Sequence, residues 1–194
     1  MIIDRITEGL ADGSSRIAVF IRHGEKDSSG SRPALITQQA TKDSEALGIR
    51  LRELNVSVKV YSSPELRCVQ TANILNKEIS GAASTIVLTS FLGKPGIQVK
   101  DNDRYLKLFE EYSARELYVQ WKEGKNHDAL RAVEDLCSEL HSFLERTTTE
   151  SKISLFVSQS GTIAALSYAL GLSDFDISKN EWVSFLDGFL LVFK

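Results

Sequence analysis

A fixed cation and an imidazole directly follow an apolar run near the start of the chain. The run spans residues 17–21, is mostly β-branched or aromatic, and carries no charge. This composition is typical of a strand that is buried on both faces of a parallel sheet. Arg22 and His23 come next, followed by Gly24, which lets a backbone turn tightly or approach a ligand closely. Because open α/β sheets bind ligands at the carboxyl ends of their strands, the sequence predicts a ligand site here. The alternative is a surface loop that happens to hold an arginine and a histidine.

Two later turns have the same character. One reads Ser-Ser-Pro at residues 62–64, with Arg67 shortly after, and the other reads Ser-Gln-Ser-Gly at residues 158–161. If the three strands are parallel neighbours, all three turns open on one edge of the sheet. The amino ends of the helices that follow favour an anion, and Arg22 and Arg67 add planar forks suited to phosphate oxygens. A solvated arginine and a simple helix cap are the plainer interpretations, but they do not explain why these features coincide at strand ends.

In this order, the motifs resemble those of the histidine phosphatase superfamily, also called the phosphoglycerate mutase-like family. The similarity covers nearly the whole chain. It runs through Arg-His-Gly-Glu at residues 22–25, Leu-Ile-Thr at 35–37, Tyr-Ser-Ser-Pro at 61–64 with Arg67, Gln-Thr-Ala at 70–72, and the strand, turn and helix of residues 154–165.

The resemblance implies that His23 attacks phosphorus and forms a phosphohistidine, which water then hydrolyses. Arg22 and Arg67 would bind the phosphate, together with Gln159 and Ser160 in the last turn. Phosphoryl transfer requires mostly positioning and stabilisation of charge. No metal and no other cofactor is implied.

The chain departs from the family pattern in its last turn. Members normally carry a second histidine where this chain has Gln159. An amide still donates a hydrogen bond but has no charge, so we expect weakened rather than abolished activity. His127 and His141 are alternative sources of an imidazole, and an engineered replacement is a further explanation of Gln159.

The sequence does not single out the acid that protonates the leaving group. Many members carry a glutamate in the region of residues 88–96, where this chain has none. We favour Asp101, which follows a Gly-Lys-Pro-Gly turn that could place it over the site. Glu25 and other nearby carboxylates stay open as alternatives, as does the interpretation of Asp101 as a solvated loop residue.

Strands that alternate with helices predict the elements that hold these turns. We expect helices over residues 37–54, 64–79, 127–146 and 161–170, and strands over 17–21, 56–61, 153–157 and 188–193, with a shorter one after residue 85. Residues 26–36 are turn-rich and predict a loop beside the site. The pattern predicts a single domain over residues 1–194: a three-layer α/β/α sandwich with a mostly parallel central sheet, and a small lid around residues 93–126.

Bulk properties restrict the partners. A net charge of −3 argues against nucleic acid and anionic membranes, which favour a basic face. No apolar run approaches the roughly 20 residues that span a bilayer. The two cysteines, Cys68 and Cys137, form neither a disulfide framework nor a metal-site spacing, so a reducing, cytoplasmic location is expected. The oligomeric state is not readable.

These observations predict a metal-independent phosphatase that acts on a phosphorylated small molecule or a phosphoprotein, including phosphohistidine proteins. Two alternatives remain. One is a catalytically impaired module that binds phospho-ligands, and the other is mutase-like phosphotransfer within the same family. A small lid favours an open phosphatase site over a mutase, which must retain its intermediate.

Overall fold

The computed structural model describes residues 1–11, 16–27, 35–81, 84–172 and 182–193. Five strands form one sheet: β1 (Arg16–Arg22), β2 (Val58–Ser62), β3 (Val87–Leu88), β4 (Ile153–Ser158) and β5 (Gly188–Phe193). Their spatial order is β3-β2-β4-β1-β5, and every neighbouring pair is parallel except β1 with β5. The predicted mostly parallel sheet is confirmed.

Helices cover both faces of this sheet. They are α1 (Ile2–Gly9), α2 (Gln38–Glu53), α3 (Leu66–Ser80), α4 (Asn102–Glu111), α5 (Ala114–Lys122), α6 (Val133–Thr147) and α7 (Ser160–Ala169), with a short 3₁₀ helix at Ser90–Leu92. The described helices include none that is long and apolar enough to cross a membrane.

Successive residues of β1 supply both cores. Its odd-numbered members, such as Val19, pack with α1, α2 and α3, whereas Ala18 and Phe20 pack with α5, α6 and α7. Phe20 stacks on Phe156 of β4 with ring centroids 4.5 Å apart. The uncharged residues 17–21 of β1 are therefore buried on both faces, as their composition indicates, and the three-layer α/β/α sandwich is confirmed.

Several element boundaries differ from those that the sequence predicts. No helix or strand was predicted before residue 17, but α1 forms and buries Ile2, Ile3 and Ile6. The predicted helix at 127–146 begins instead at Val133, because residues 126–132 form turns and a bridge between Leu130 and Val99. Of the predicted loop at 26–36, residues 28–34 lie outside the described part.

The region around residues 93–126, predicted to be a small lid, contains α4 and α5. No residue of α4 is buried, whereas α5 buries Leu117, Tyr118 and Trp121 in the core. One helix of this region is thus anchored and the other lies on the surface. Its role as a lid stays a prediction.

Candidate active site

The three turns that the sequence singles out lie side by side. The backbone N–H of His23 donates to Ser158 O at 3.0 Å, and the N–H of Ser63 donates to Val157 O at 3.0 Å. In the sheet, β4 lies between β1 and β2. Gln159, which follows β4, therefore lies between His23, which follows β1, and Ser63, which follows β2. The expectation that the turns share one edge of the sheet is confirmed.

His23 is almost completely buried, with 4% of the surface of the residue exposed. Its Nδ1 lies 2.6 Å from Gly24 O, and its Nε2 lies 2.9 Å from Arg67 Nε. A carbonyl oxygen can only accept and an arginine nitrogen can only donate, so these partners assign the proton to Nδ1. The lone pair of Nε2 is then directed at the guanidinium.

The surroundings keep this ring neutral. Burial lowers the pKa of His23 to about 3, and the positive charges of Arg67, Arg22 and Lys26 act in the same direction. The hydrogen bond to Gly24 O opposes the shift without reversing it. At neutral pH the ring is therefore uncharged and carries an available lone pair on Nε2.

Thr71 links the turn that holds His23 to α3. Its Oγ1 accepts from the N–H of Gly24 at 3.0 Å and donates to Arg67 O at 2.8 Å. A Cβ on Gly24 would lie 3.0 Å from the Cβ of Ala40, so this glycine is needed for close packing against α2. The Gln-Thr-Ala motif thus couples the position of His23 to the backbone of Arg67.

Arg67 is in the first turn of α3 and is half-buried. Besides the contact with His23, its NH1 lies 3.5 Å from Oε2 of Glu65. Ser62 and Ser63 were expected to cap a helix starting near Pro64, but α3 starts at Leu66 with Glu65 as its N-cap residue. The Oγ of Ser63 instead accepts from the N–H of Glu65 at 3.3 Å.

Arg22 is held by a segment that the sequence did not implicate. Its NH1 donates to Val183 O at 2.7 Å, and its guanidinium carbon lies 3.7 Å from the ring centroid of Phe185. Burial lowers the pKa of Arg22, and the charge of Arg67 lowers it further. Nε of Arg22 is buried and has no hydrogen-bond partner among the described residues. No local pattern predicts the contact with Phe185, because the ring comes from the distant approach to β5.

Gln159 and Ser160 begin the turn into α7, and both are half-buried. A Cβ built on Gly93 would lie 3.3 Å from Nε2 of Gln159 and 2.7 Å from Oγ of Ser63. Gly93 also has a φ of 145°, which residues with a side chain rarely adopt. A glycine at this position therefore fits the backbone and leaves room for both groups. The amide of Gln159 therefore lies near the turn after β2.

Asp101, favoured as the acid from the sequence, is the N-cap of α4. Its carboxylate accepts from the backbone N–H groups of Asp103 and Arg104, each at 3.1 Å, and lies 3.6 Å from Nε of Arg104. These contacts make Asp101 the side-chain cap of α4. Its role as the acid stays a prediction. The carboxylate of Glu65 contacts Arg67. Sequence reasoning missed this residue because its position beside Arg67 depends on where α3 starts.

The described residues contain no group of three or more histidine, cysteine, aspartate or glutamate side chains that could hold a metal ion. The positive charge of the site comes from Arg22 and Arg67, with Lys26 and Lys94 nearby. A buried lone pair, two arginine side chains and the amino ends of two helices lie at one edge of the sheet. Together these groups suit attack on a bound phosphoryl group.

Residues 18–182 match the family model described as histidine phosphatase superfamily (branch 1). A search among curated proteins found no significant match. Similar solved structures include a protein described as mycobacterial hydrolase 1 (18% identity, TM-score 0.59, 92% of each chain covered). A second is a phosphoglycerate mutase from Bacillus anthracis, with 15% identity, a TM-score of 0.58, and coverage of 93% of this chain and 88% of that chain. A third is a mycobacterial glucosyl-3-phosphoglycerate phosphatase, with 18% identity, a TM-score of 0.52, and coverage of 80% of this chain and 79% of that chain. At such identities the structural likeness shows the fold.

Proposed function

The chain belongs to the histidine phosphatase superfamily, and we propose that it is a phosphatase that uses His23 as a covalent nucleophile. The single observation that supports this most is the state of the imidazole. Nδ1–H is bound to Gly24 O while the unprotonated Nε2 faces Arg67. A neutral ring with a directed lone pair is what attack on phosphorus requires.

In the proposed reaction, a phosphomonoester breaks the contact between Arg67 and His23, and the guanidinium of Arg67 binds the phosphate oxygens instead. Nε2 attacks phosphorus and the bond from phosphorus to the ester oxygen breaks. An acidic side chain gives that oxygen a proton, and the alcohol leaves. Water then attacks the phosphohistidine and releases phosphate, which restores the lone pair of Nε2. The hydrogen bond from Nδ1 to Gly24 O stabilises the positive charge that the ring carries while it is phosphorylated.

The arginines supply the charge for both steps, so the proposed mechanism requires no metal or other cofactor. Arg67 provides a planar fork for two phosphate oxygens. Arg22 is pre-positioned by Val183 O and by the ring of Phe185. Gln159 and Ser160 would complete the phosphate contacts from the amino end of α7. Substrates of this proposed enzyme are phosphorylated small molecules or phosphoproteins.

Gln159 supports one alternative, an impaired module that binds phospho-ligands. An amide in this turn has no charge to match the negative charge that builds up on the phosphoryl oxygens. Charge-assisted hydrogen bonds contribute roughly 1.5–3 kcal/mol against about 1 for neutral ones. A loss of about 1–2 kcal/mol slows a reaction roughly 5- to 30-fold. A deficit of this size leaves measurable turnover, which is why we favour the enzyme over the binding module. The small lid predicted around residues 93–126 is the reason that we favour a phosphatase over mutase-like phosphotransfer.

Turnover of p-nitrophenyl phosphate, measured beside calorimetric binding of inorganic phosphate, separates the two functions. We expect the unmodified protein to do both and His23→Ala to lose turnover. Saturable phosphate binding with no His23-dependent turnover would instead assign the protein to the binding module.

A further inference from the structure

The carboxylate of Glu65 lies one side chain away from the proposed nucleophile. Its Oε2 is 3.5 Å from NH1 of Arg67, whose Nε is 2.9 Å from Nε2 of His23. Its Oε1 is 3.9 Å from Nζ of Lys94. The side chain is 26% exposed, so it reaches both the half-buried Arg67 and the solvent from which substrate arrives.

Other described carboxylates near these residues in the sequence or in space contact other groups or lie exposed. Asp101 caps α4. Asp187 pairs with Arg5. Glu25 is exposed, and its charge raises the pKa of Arg22. Among the described residues, Glu65 is therefore the carboxylate held in contact with the arginine that meets the nucleophile.

We propose that Glu65 is the acid that protonates the leaving group, an assignment that rests on the proposed phosphatase function. When a phosphomonoester dianion takes the fork of Arg67, the carboxylate loses that partner and lies beside a second anion. Two neighbouring negative charges disfavour each other, so Glu65 binds a proton as substrate binds. Lys94 lies near the other oxygen of the carboxylate and holds Glu65 next to the phosphate site.

The proton then moves with the bond changes. As the bond from Nε2 to phosphorus forms and the bond from phosphorus to the ester oxygen breaks, the O–H of Glu65 gives its proton to that oxygen. The alcohol leaves and Glu65 is a carboxylate again. In the second step the carboxylate accepts a proton from the water that attacks the phosphohistidine, and phosphate departs. Glu65 then releases this proton to solvent as it pairs again with Arg67, so that it is unchanged over one turnover.

The basicity of the leaving group distinguishes an acid from a residue that only positions Arg67. Phenolate is a more basic leaving group than p-nitrophenolate, so phenyl phosphate depends more on a proton donor. General acids contribute about 10²- to 10⁴-fold. We expect Glu65→Gln to slow phenyl phosphate by about 10²-fold or more and p-nitrophenyl phosphate far less. Glu65→Asp should recover part of the loss.

A matched control is Glu78→Gln, which changes a partly exposed glutamate that pairs with Lys77 near the other end of α3. It should leave both rates unchanged. Binding of inorganic phosphate to Glu65→Gln checks that the site is intact. That binding should be as tight as in the unmodified protein or tighter, since the carboxylate no longer competes for Arg67.

Two results would overturn the assignment while leaving the phosphatase in place. One is an equal loss on both substrates in Glu65→Gln, which would make Glu65 a positioning residue for Arg67. The other is a selective loss on phenyl phosphate in Asp101→Asn but not in Glu65→Gln. Failure of the proposed function looks different, because the unmodified protein would then turn over neither substrate in a His23-dependent way, and the role of Glu65 would fall with it.

Discussion

Burial of His23 should make the stability of the protein depend on pH. The pKa of His23 in the folded protein is lowered to about 3, whereas a histidine in an unfolded chain titrates at about 6.5. Between these values the unfolded chain binds a proton that the folded protein does not, so the free energy of unfolding falls as pH falls through about 6.5. With these pKa values, His23 alone removes about 2 kcal/mol of stability between about pH 7 and about pH 5.

Urea unfolding at the two pH values, followed by circular dichroism, measures this change in the free energy of unfolding. We expect His23→Asn to lose about 2 kcal/mol less stability on acidification than the unmodified protein, because asparagine binds no proton. The comparison uses the change with pH within each protein, so a constant cost of the substitution cancels. His127→Asn is the matched control, since it removes an exposed histidine in place of the buried one.

Equal pH dependence in His23→Asn and the unmodified protein would refute this reasoning. It would mean that the folded protein accommodates a protonated ring at His23. The neutral imidazole, with its lone pair on Nε2, would then no longer describe the resting site.

Two substitutions test the phosphate contacts. Arg67→Lys should raise KM and lower kcat, with kcat/KM falling about tenfold or more, because an ammonium cannot reproduce the paired contact of a guanidinium. If the steady-state kinetics of this variant equal those of the unmodified protein, Arg67 has only a structural role. Gln159→His should raise kcat roughly 5- to 30-fold as pH falls through about 6.5, because a protonated ring adds charge where the amide has none, while Gln159→Ala should be slower than the starting protein. A histidine variant that is no faster at any pH, or an alanine variant with unchanged rates, would place Gln159 away from the phosphate.

The position of the site follows from signals that are local in sequence. An uncharged strand ending in Arg22 and His23 must be covered on both faces, so its polar end emerges where parallel strands present ligands. The same reasoning places Gln159 after β4, and the backbone hydrogen bond from His23 to Ser158 O confirms that the turns adjoin. Strand composition and turn residues suffice for these predictions because each depends on only a few neighbouring residues.

The details that the sequence does not give depend on contacts between distant segments. Asp101 becomes a helix cap because α4 starts directly after it. The guanidinium of Arg22 meets Phe185 only when the segment before β5 folds across it. The helix at residues 2–9 is short and lacks a side-chain cap, although the spacing of Ile2, Ile3 and Ile6 on one helical face is a signal that could have revealed it.

The central claim, that His23 carries the phosphoryl group, is tested most directly by trapping the intermediate. The protein is mixed with a phosphomonoester and quenched in alkali, in which phosphohistidine survives, and the modified nitrogen is identified by ³¹P NMR and peptide mass spectrometry. We predict phosphate on Nε2 of His23, since Nδ1 is bound to Gly24 O, and no phosphoenzyme in His23→Ala. Phosphate on another residue, or undiminished turnover in His23→Ala, would contradict the account.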